Sequence, residues 1–158
     1  MDAQITEYVA VPTTQGCVWV FAYSEGWPRP FMGALFFTTA EGRIIEHLPG
    51  YASPAQLTPA GNGRLVFEYV EGEGAGTIIT HVAVLCSFGT QRWAECAQFP
   101  LESRIGSIDG LQVDRYGTFE VQGSQLTIVY TGNWALLRSG VEERAGTLAP
   151  DTIRVRLP

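Results

Sequence analysis

The sequence predicts an all-β fold, either an antiparallel meander barrel or a β-sandwich, of about ten strands with little helix. The 158 residues include 18 Gly and 9 Pro, and only 16% are charged, which suits many short strands joined by turns. No long window repeats its apolar residues at the 3.6-residue period of a helix. Several segments instead alternate apolar and polar residues, as half-buried antiparallel strands do. At this length we expect a single domain spanning residues 1–158.

A central hairpin is predicted where two β-rich segments flank a turn. Ile78–Phe88 is rich in β-branched and aromatic residues, Gly89–Arg92 is a turn signal, and Trp93–Phe99 returns. Pairing Cys86 with Cys96 closes a three-residue loop and places the two thiols opposite each other on neighbouring strands. The spacing therefore predicts a disulfide between Cys86 and Cys96.

Two segments before this hairpin are apolar on both faces. In Cys17–Tyr23 and in Phe31–Thr39, large apolar residues occupy successive positions and not alternate ones. Such strands need cover on both sides. The cover could be the long connection Leu48–Asn62, with one helical turn near Ser53–Leu57, or a second sheet, or another molecule such as a partner or a second copy. Within the first segment we expect Cys17 to be a buried, inert thiol.

The C-terminal third shows a cleaner pattern. Thr118–Gln122, Gln125–Thr131 and Asp151–Leu157 alternate apolar and polar residues, which predicts strands with one solvated face. Before them, Leu101–Gly110 is interpreted as a polar loop.

A short sequence cadence recurs in this C-terminal third. Gly117-Thr118 and Gly146-Thr147 each precede a short strand, a turn and a second strand. Over about residues 117–157 this cadence resembles the C-terminal hairpins of bacterial lipocalin-like β-barrels. The resemblance implies a meander barrel.

Composition excludes several classes of function. All ten basic residues are Arg, so mechanisms that require a lysine ε-amine are excluded: Schiff bases, Walker-type phosphate lysines and Ser-x-x-Lys nucleophiles. The net charge of −6 argues against nucleic acid and anionic membranes, but it is compatible with a basic protein partner. The two imidazoles, His47 and His81, lie in no metal-ligand spacing, so we predict no metal, no cofactor and no catalytic residue.

The candidate partner-binding residues are aromatic and Arg residues beside turn signals, together with one polar segment. Trp, Tyr and Arg dominate protein-binding hot spots because they contribute large contact areas. The candidates are Trp27, Arg29, Tyr51, Ser103, Arg104, Asp109 and Trp134.

Three functions follow from these observations. The first is a non-catalytic protein-binding domain of the inhibitor or immunity type, which acts by occluding a partner protein; a homodimer is also compatible with the apolar strands. The alternative is a lipocalin-like carrier of a small apolar ligand, with Trp19, Phe21, Phe36 and Phe67 facing inward. The third is a hydrolase of unknown class, built from scattered residues.

Cysteine usage predicts the compartment. One disulfide with a buried third thiol fits a periplasmic or secreted protein, present here as the mature form without its signal peptide. Three buried thiols would instead fit a cytoplasmic protein.

Overall fold

The computed structural model describes residues 4–24, 33–49, 55–69, 77–88, 93–106 and 109–158. These residues form twelve strands in two antiparallel sheets, and none of them is helical. The predicted all-β antiparallel fold is therefore confirmed. Of its two forms, the structure matches the sandwich, since the described strands make two separate sheets and do not close into one barrel.

The first sheet has four strands in chain order: β1 (Gln4–Thr13), β2 (Gly16–Ser24), β3 (Gly33–Thr38) and β4 (Ile44–Pro49). The second sheet contains β5 (Ala55–Pro59), β6 (Arg64–Tyr69), β7 (Thr77–Phe88), β8 (Trp93–Ile105), β9 (Gly110–Gln122), β10 (Gln125–Arg138), β11 (Val141–Thr147) and β12 (Asp151–Arg156). Its order is β11-β10-β9-β8-β7-β6-β5, and β12 also pairs with β10.

The chain divides into two compact units. The first comprises Met1–Val70 and Ala83–Phe99, and the second comprises Glu71–Val82 and Pro100–Pro158. The long strands β7 and β8 contribute residues to both units.

The first unit is a two-layer sandwich whose core is aliphatic and aromatic. Alternation along β2 and β3 turns Val20, Leu35 and Phe37 inward, and all three are fully buried. They pack in one cluster with residues of the second sheet that include Leu65 and Phe67. Full burial of such side chains contributes about 1.5–3 kcal/mol each, so this layer stabilises the unit.

The second unit is organised around β10. Strand β9 pairs along nearly its whole length, β12 pairs with its first half and β11 with its second half. Leu126, Ile128 and Tyr130 are buried on one face of β10, and the Tyr130 hydroxyl donates to the carbonyl of Pro100 at 3.0 Å. A Cβ at Gly132 would collide with the backbone carbonyl of Asp114, so glycine is needed there.

Two segments that the sequence analysis assigned to connections are strands. Leu101–Gly110 is not all loop, because β8 continues to Ile105 and pairs there with β9. Its polar residues Glu102, Ser103 and Arg104 are half-buried or exposed and belong to a paired strand. In the connection after β4, residues 50–54 lie outside the described part, and Ala55–Pro59 forms β5 in place of the expected helical turn. A positive φ of 52° at Gln56 accompanies the register shift in this strand.

The predicted disulfide is wrong. Cys86 is not disulfide-bonded and is fully buried. Its Sγ–H donates to the carbonyl of Leu65 at 3.3 Å, because the side chain faces the core. The side chain of Cys96 lies outside the described part of the structure. The expectation of export loses the disulfide on which it depended.

Cys17 also differs from expectation. The thiol was expected to be buried, but it is exposed, since the odd-numbered residues of β2 face away from the core. It lines an open cleft of about 480 Å³ together with Thr13, Arg43 and other residues.

Candidate binding surface

The outer face of the four-stranded sheet carries large apolar side chains in register. Strand pairing aligns three rows across β1, β2, β3 and β4. We call their twelve residues the outer aromatic face. The rows are Ile5, Tyr23, Ala34 and Pro49; Tyr8, Phe21, Phe36 and His47; and Ala10, Trp19, Thr38 and Ile44.

Ring contacts join neighbouring members of the outer aromatic face. Tyr8 lies 6.1 Å from Phe21 and 6.2 Å from Trp19 between ring centroids. Phe36 stacks on His47 at 4.5 Å with the two planes 10° apart, and it meets Tyr23 edge-on at 6.2 Å. Such arrangements lie in the favourable range for aromatic pairs. The rings therefore support one another through direct contacts.

Much of this face is open to solvent. Tyr8 is 63% exposed, and Ile5 and Ile44 are each 61% exposed. The rings of Trp19 and Phe21 are half-buried. A contiguous apolar patch on a protein surface commonly marks an interaction site, whereas single exposed apolar residues need no explanation.

The outer aromatic face carries no formally charged residue other than His47 when protonated. None of its members is Asp, Glu or Arg. Glu7, which lies beside it at the bulge in β1, accepts a hydrogen bond from the Leu57 backbone amide at 3.0 Å. Its carboxylate is therefore held toward β5.

Two shallow hollows flank Tyr8 on this face. One, of about 540 Å³, is lined by Ile5, Phe21 and the β1 residues between Ile5 and Tyr8. The other, of about 290 Å³, lies between Tyr8, Trp19 and the turn that carries Gly42. Both hollows are open depressions of the surface and do not enclose a ligand.

Of the seven residues predicted from the sequence to bind a partner, the four that the structure describes do not lie on this face. Trp27, Arg29 and Tyr51 fall outside the described residues. The remaining four belong to the second unit, where each has a local role.

Arg104 forms a bidentate ion pair with Asp114. Its Nε lies 2.7 Å from Asp114 Oδ1 and its Nη2 lies 3.2 Å from Asp114 Oδ2. Hydrogen bonding to this carboxylate raises the pKa of Arg104. Ser103, the preceding residue, is half-buried and pairs with Arg115 in the β8–β9 register.

Asp109 and Trp134 are likewise engaged within the second unit. The Asp109 carboxylate accepts a hydrogen bond from the Ser139 backbone amide, so it holds the turn between β10 and β11. The indole of Trp134 occupies the space over Gly146 that a Cβ would fill. Register places Trp134 on the opposite face of the sheet from Arg104, so the structure does not bring these candidates into one surface.

Further observations on the described residues concern a histidine–carboxylate pair, a metal site and a membrane-spanning helix. His81 Nδ1 lies 3.4 Å from Glu102 Oε2, and both side chains are nearly half exposed. Among the described residues, no group of three or more His, Cys, Asp and Glu could hold a metal ion. The same part of the chain contains no helix long and apolar enough to span a membrane.

Comparisons with protein-family models, curated proteins and solved structures found no match to this chain. The candidate surface therefore depends on the geometry of the chain itself. Sequence reasoning did identify the two-sided apolar strands that build it, but it assigned the binding role to aromatic residues beside turns. The signal it missed was the register, which aligns Tyr8, Phe21 and Phe36 only once strands are paired.

Proposed function

We propose that the protein is a non-catalytic protein-binding domain of the inhibitor or immunity type, and that the outer aromatic face is its binding surface. One observation carries the proposal: the row of Tyr8, Phe21, Phe36 and His47 crosses all four strands, and Tyr8 at its end is 63% exposed.

The physical argument is the free energy of burying this face. Apolar area removed from water contributes about 25 cal/mol per Å². Tyr and Trp side chains supply such area at low conformational cost, and the contacts of Tyr8 with Trp19 and Phe21 hold the rings in place before binding. Less entropy is then lost when a partner docks.

The shape of the face supports a protein as the partner. A broad, open sheet face complements another protein's surface, whereas small ligands bind in concave sites that enclose most of their area. The carrier alternative required inward aromatic residues, but Trp19, Phe21 and Phe36 lie on the outer face. Only Phe67 of that set belongs to the core.

Charge supports the proposed partner chemistry. The net charge of −6 would accelerate encounter with a basic protein over distances up to roughly 10 Å at moderate salt. The neutral face would then supply the contact. Net charge would thus attract the partner and the neutral face would bind it, which supports occlusion of a basic partner's active site as the mode of action.

Photo-cross-linking at defined positions tests this proposal. A photoreactive p-benzoylphenylalanine would replace Tyr8 in one sample and Ile153 in a control. Ile153 is 41% exposed and belongs to the second unit, outside the outer aromatic face. Each labelled protein would be irradiated in lysate and in the secreted fraction of the source cells.

The proposal predicts one dominant protein adduct from position 8 that is absent from position 153. Identical adduct patterns at both positions, or no protein adduct at position 8, would contradict it. A small-molecule adduct at position 8 would favour the carrier function instead.

A further inference from the structure

We infer that the isolated chain forms a two-fold homodimer in which the outer aromatic faces of two copies pack against each other. The inference depends on the same surface as the proposed function, but not on the identity of the partner. It also implies that a partner must compete with the second copy for this face.

Charge is the first reason to commit to a second copy. A chain with a net charge of −6 repels its own kind, and it self-associates most readily through a surface that adds no like-charge contacts. The three rows of the outer aromatic face contain no Asp, Glu or Arg. The nearby Glu7 carboxylate is already hydrogen-bonded to the Leu57 amide. Pairing two such faces therefore brings no acid against an acid.

Shape is the second reason. Sheets pack face to face about 10 Å apart with their strands roughly aligned, and a two-fold axis makes the same patch contact itself. Tyr8 protrudes beside an open hollow of about 290 Å³ lined by Trp19 and Phe21 among others. In such a two-fold arrangement we expect the Tyr8 ring of each copy, which is 63% exposed, to lie in a hollow of the other copy.

The size of the face sets the strength of the dimer. Four strands, each about 4.8 Å wide, and three rows, each about 6.7 Å long, cover roughly 400 Å². That is typical of functional surface patches on monomers, and it is less than the roughly 800 Å² per partner of a standard stable interface. We therefore expect reversible, concentration-dependent association that a partner with a larger footprint can displace.

Sedimentation velocity on the purified full chain tests the inference. Wild-type protein would be measured from about 10 µM to about 1 mM, a range chosen for weak interfaces. The test variant is Tyr8→Glu, which places an acid on the neutral face. The matched control is Ile153→Glu, which makes the same charge change at a 41% exposed residue of the second unit. Tyr8→Ser serves as a second variant, and circular dichroism verifies that each protein is folded.

The inference predicts a monomer–dimer equilibrium for the wild type and for Ile153→Glu. The dimer dissociation constant of Tyr8→Glu should be at least about ten-fold higher, because like charges would face each other across the interface. Added salt should not weaken the wild-type dimer, since no ion pair crosses the interface. A wild type that stays monomeric throughout, or a dimer unaffected by both Tyr8 variants, would overturn it. A monomeric chain that still cross-links to a partner from position 8 would refute the homodimer alone and leave the proposed function standing.

Discussion

The two faces of the four-stranded sheet differ in their exposure to solvent, although successive residues of the same strands alternate between them. The inner face presents Val20, Leu35 and Phe37, which are fully buried in the sandwich core. The outer face presents Tyr8 and Phe21, which contact each other and remain partly or largely exposed. Both faces are apolar, but within the described part of the chain only the inner one is covered by a second layer.

That difference separates stability from recognition. In the second unit, the solvated face of β10 carries Thr127, Thr131 and Asn133 opposite buried Leu126 and Ile128, which is the usual pattern for a sheet with one wet face. Stability alone does not require rings on a solvated face. The outer aromatic face is therefore where we propose a contact with another molecule, and the following predictions test how the two faces differ.

Thiol reactivity should show the largest contrast between the faces. Cys17 is exposed and Cys86 is buried in the core, so alkylation of the native protein without reductant should label Cys17 faster by several powers of ten, because Cys86 reacts only upon opening. Peptide mapping by mass spectrometry measures both sites. In denaturant Cys86 should also be labelled. A peptide cross-linked between Cys86 and Cys96 would contradict the structure.

Adjacent phenylalanines on β3 should differ in their cost to stability. Phe37 is fully buried and packs on Phe88 with centroids 4.9 Å apart, so Phe37→Ala should lower the free energy of unfolding by about 3–5 kcal/mol. Phe36→Ala, on the outer aromatic face, should cost clearly less, because its ring is only partly buried. Urea unfolding of both variants provides the comparison. Equal losses would mean that the outer rings are structural.

The buried Tyr130 of the second unit should stabilise the fold through its hydroxyl group. Tyr130→Phe removes the hydrogen bond to the Pro100 carbonyl and should cost about 1 kcal/mol. Burial raises the pKa of Tyr130 in the folded protein. A raised folded-state pKa contributes stability that is fully present below the unfolded value of about 10 and is lost as pH rises through the folded pKa.

Unfolding measurements from neutral pH to above pH 10 would test this dependence. The wild type should lose stability over the alkaline range more steeply than Tyr130→Phe. Parallel curves would show that Tyr130 makes no contribution to the alkaline dependence.

The smallest effect is expected at the exposed ion pair. Arg104→Ala breaks a bidentate ion pair with Asp114, in which the Arg104 side chain is 54% exposed. The substitution should therefore lower the free energy of unfolding by no more than about 1 kcal/mol. Thermal unfolding at low and high salt measures the change, and the difference from wild type should shrink with salt. A larger loss that salt does not alter would indicate that Arg104 packs structurally.

The fold class could be predicted from the sequence because alternation and turn residues are local signals. The two-sided apolar character of β2 was visible in the sequence, but the side that faces the core was not, so Cys17 was expected to be buried and is exposed. Strand β5 was missed because its register shift at Gln56 interrupts the two-residue period of a strand. The end of β8 was missed because its run of polar residues, Glu102, Ser103 and Arg104, resembles a loop in sequence. The Cys86 pairing failed because spacing along the chain does not determine which face of a strand meets the core.

The candidate surface was only half predictable. The sequence shows that the strands carrying Trp19 and Phe36 are apolar on both sides, but it does not show which side a second layer covers. Alignment of Tyr8 with Phe21 depends on the bulge between Ile5 and Glu7. A bulge shifts the register by one residue, and a one-residue shift turns side chains to the other face.

The most direct test of the binding surface is a quantitative affinity capture from the source cells. Wild type, Tyr8→Ser and the control Ile153→Ser would be compared by mass spectrometry at matched bait concentration, with folding verified for each bait. The account predicts one protein that is recovered stoichiometrically by wild type and by Ile153→Ser and is strongly depleted by Tyr8→Ser. Equal recovery of the same proteins by all three baits would contradict the claim that the outer aromatic face binds a partner.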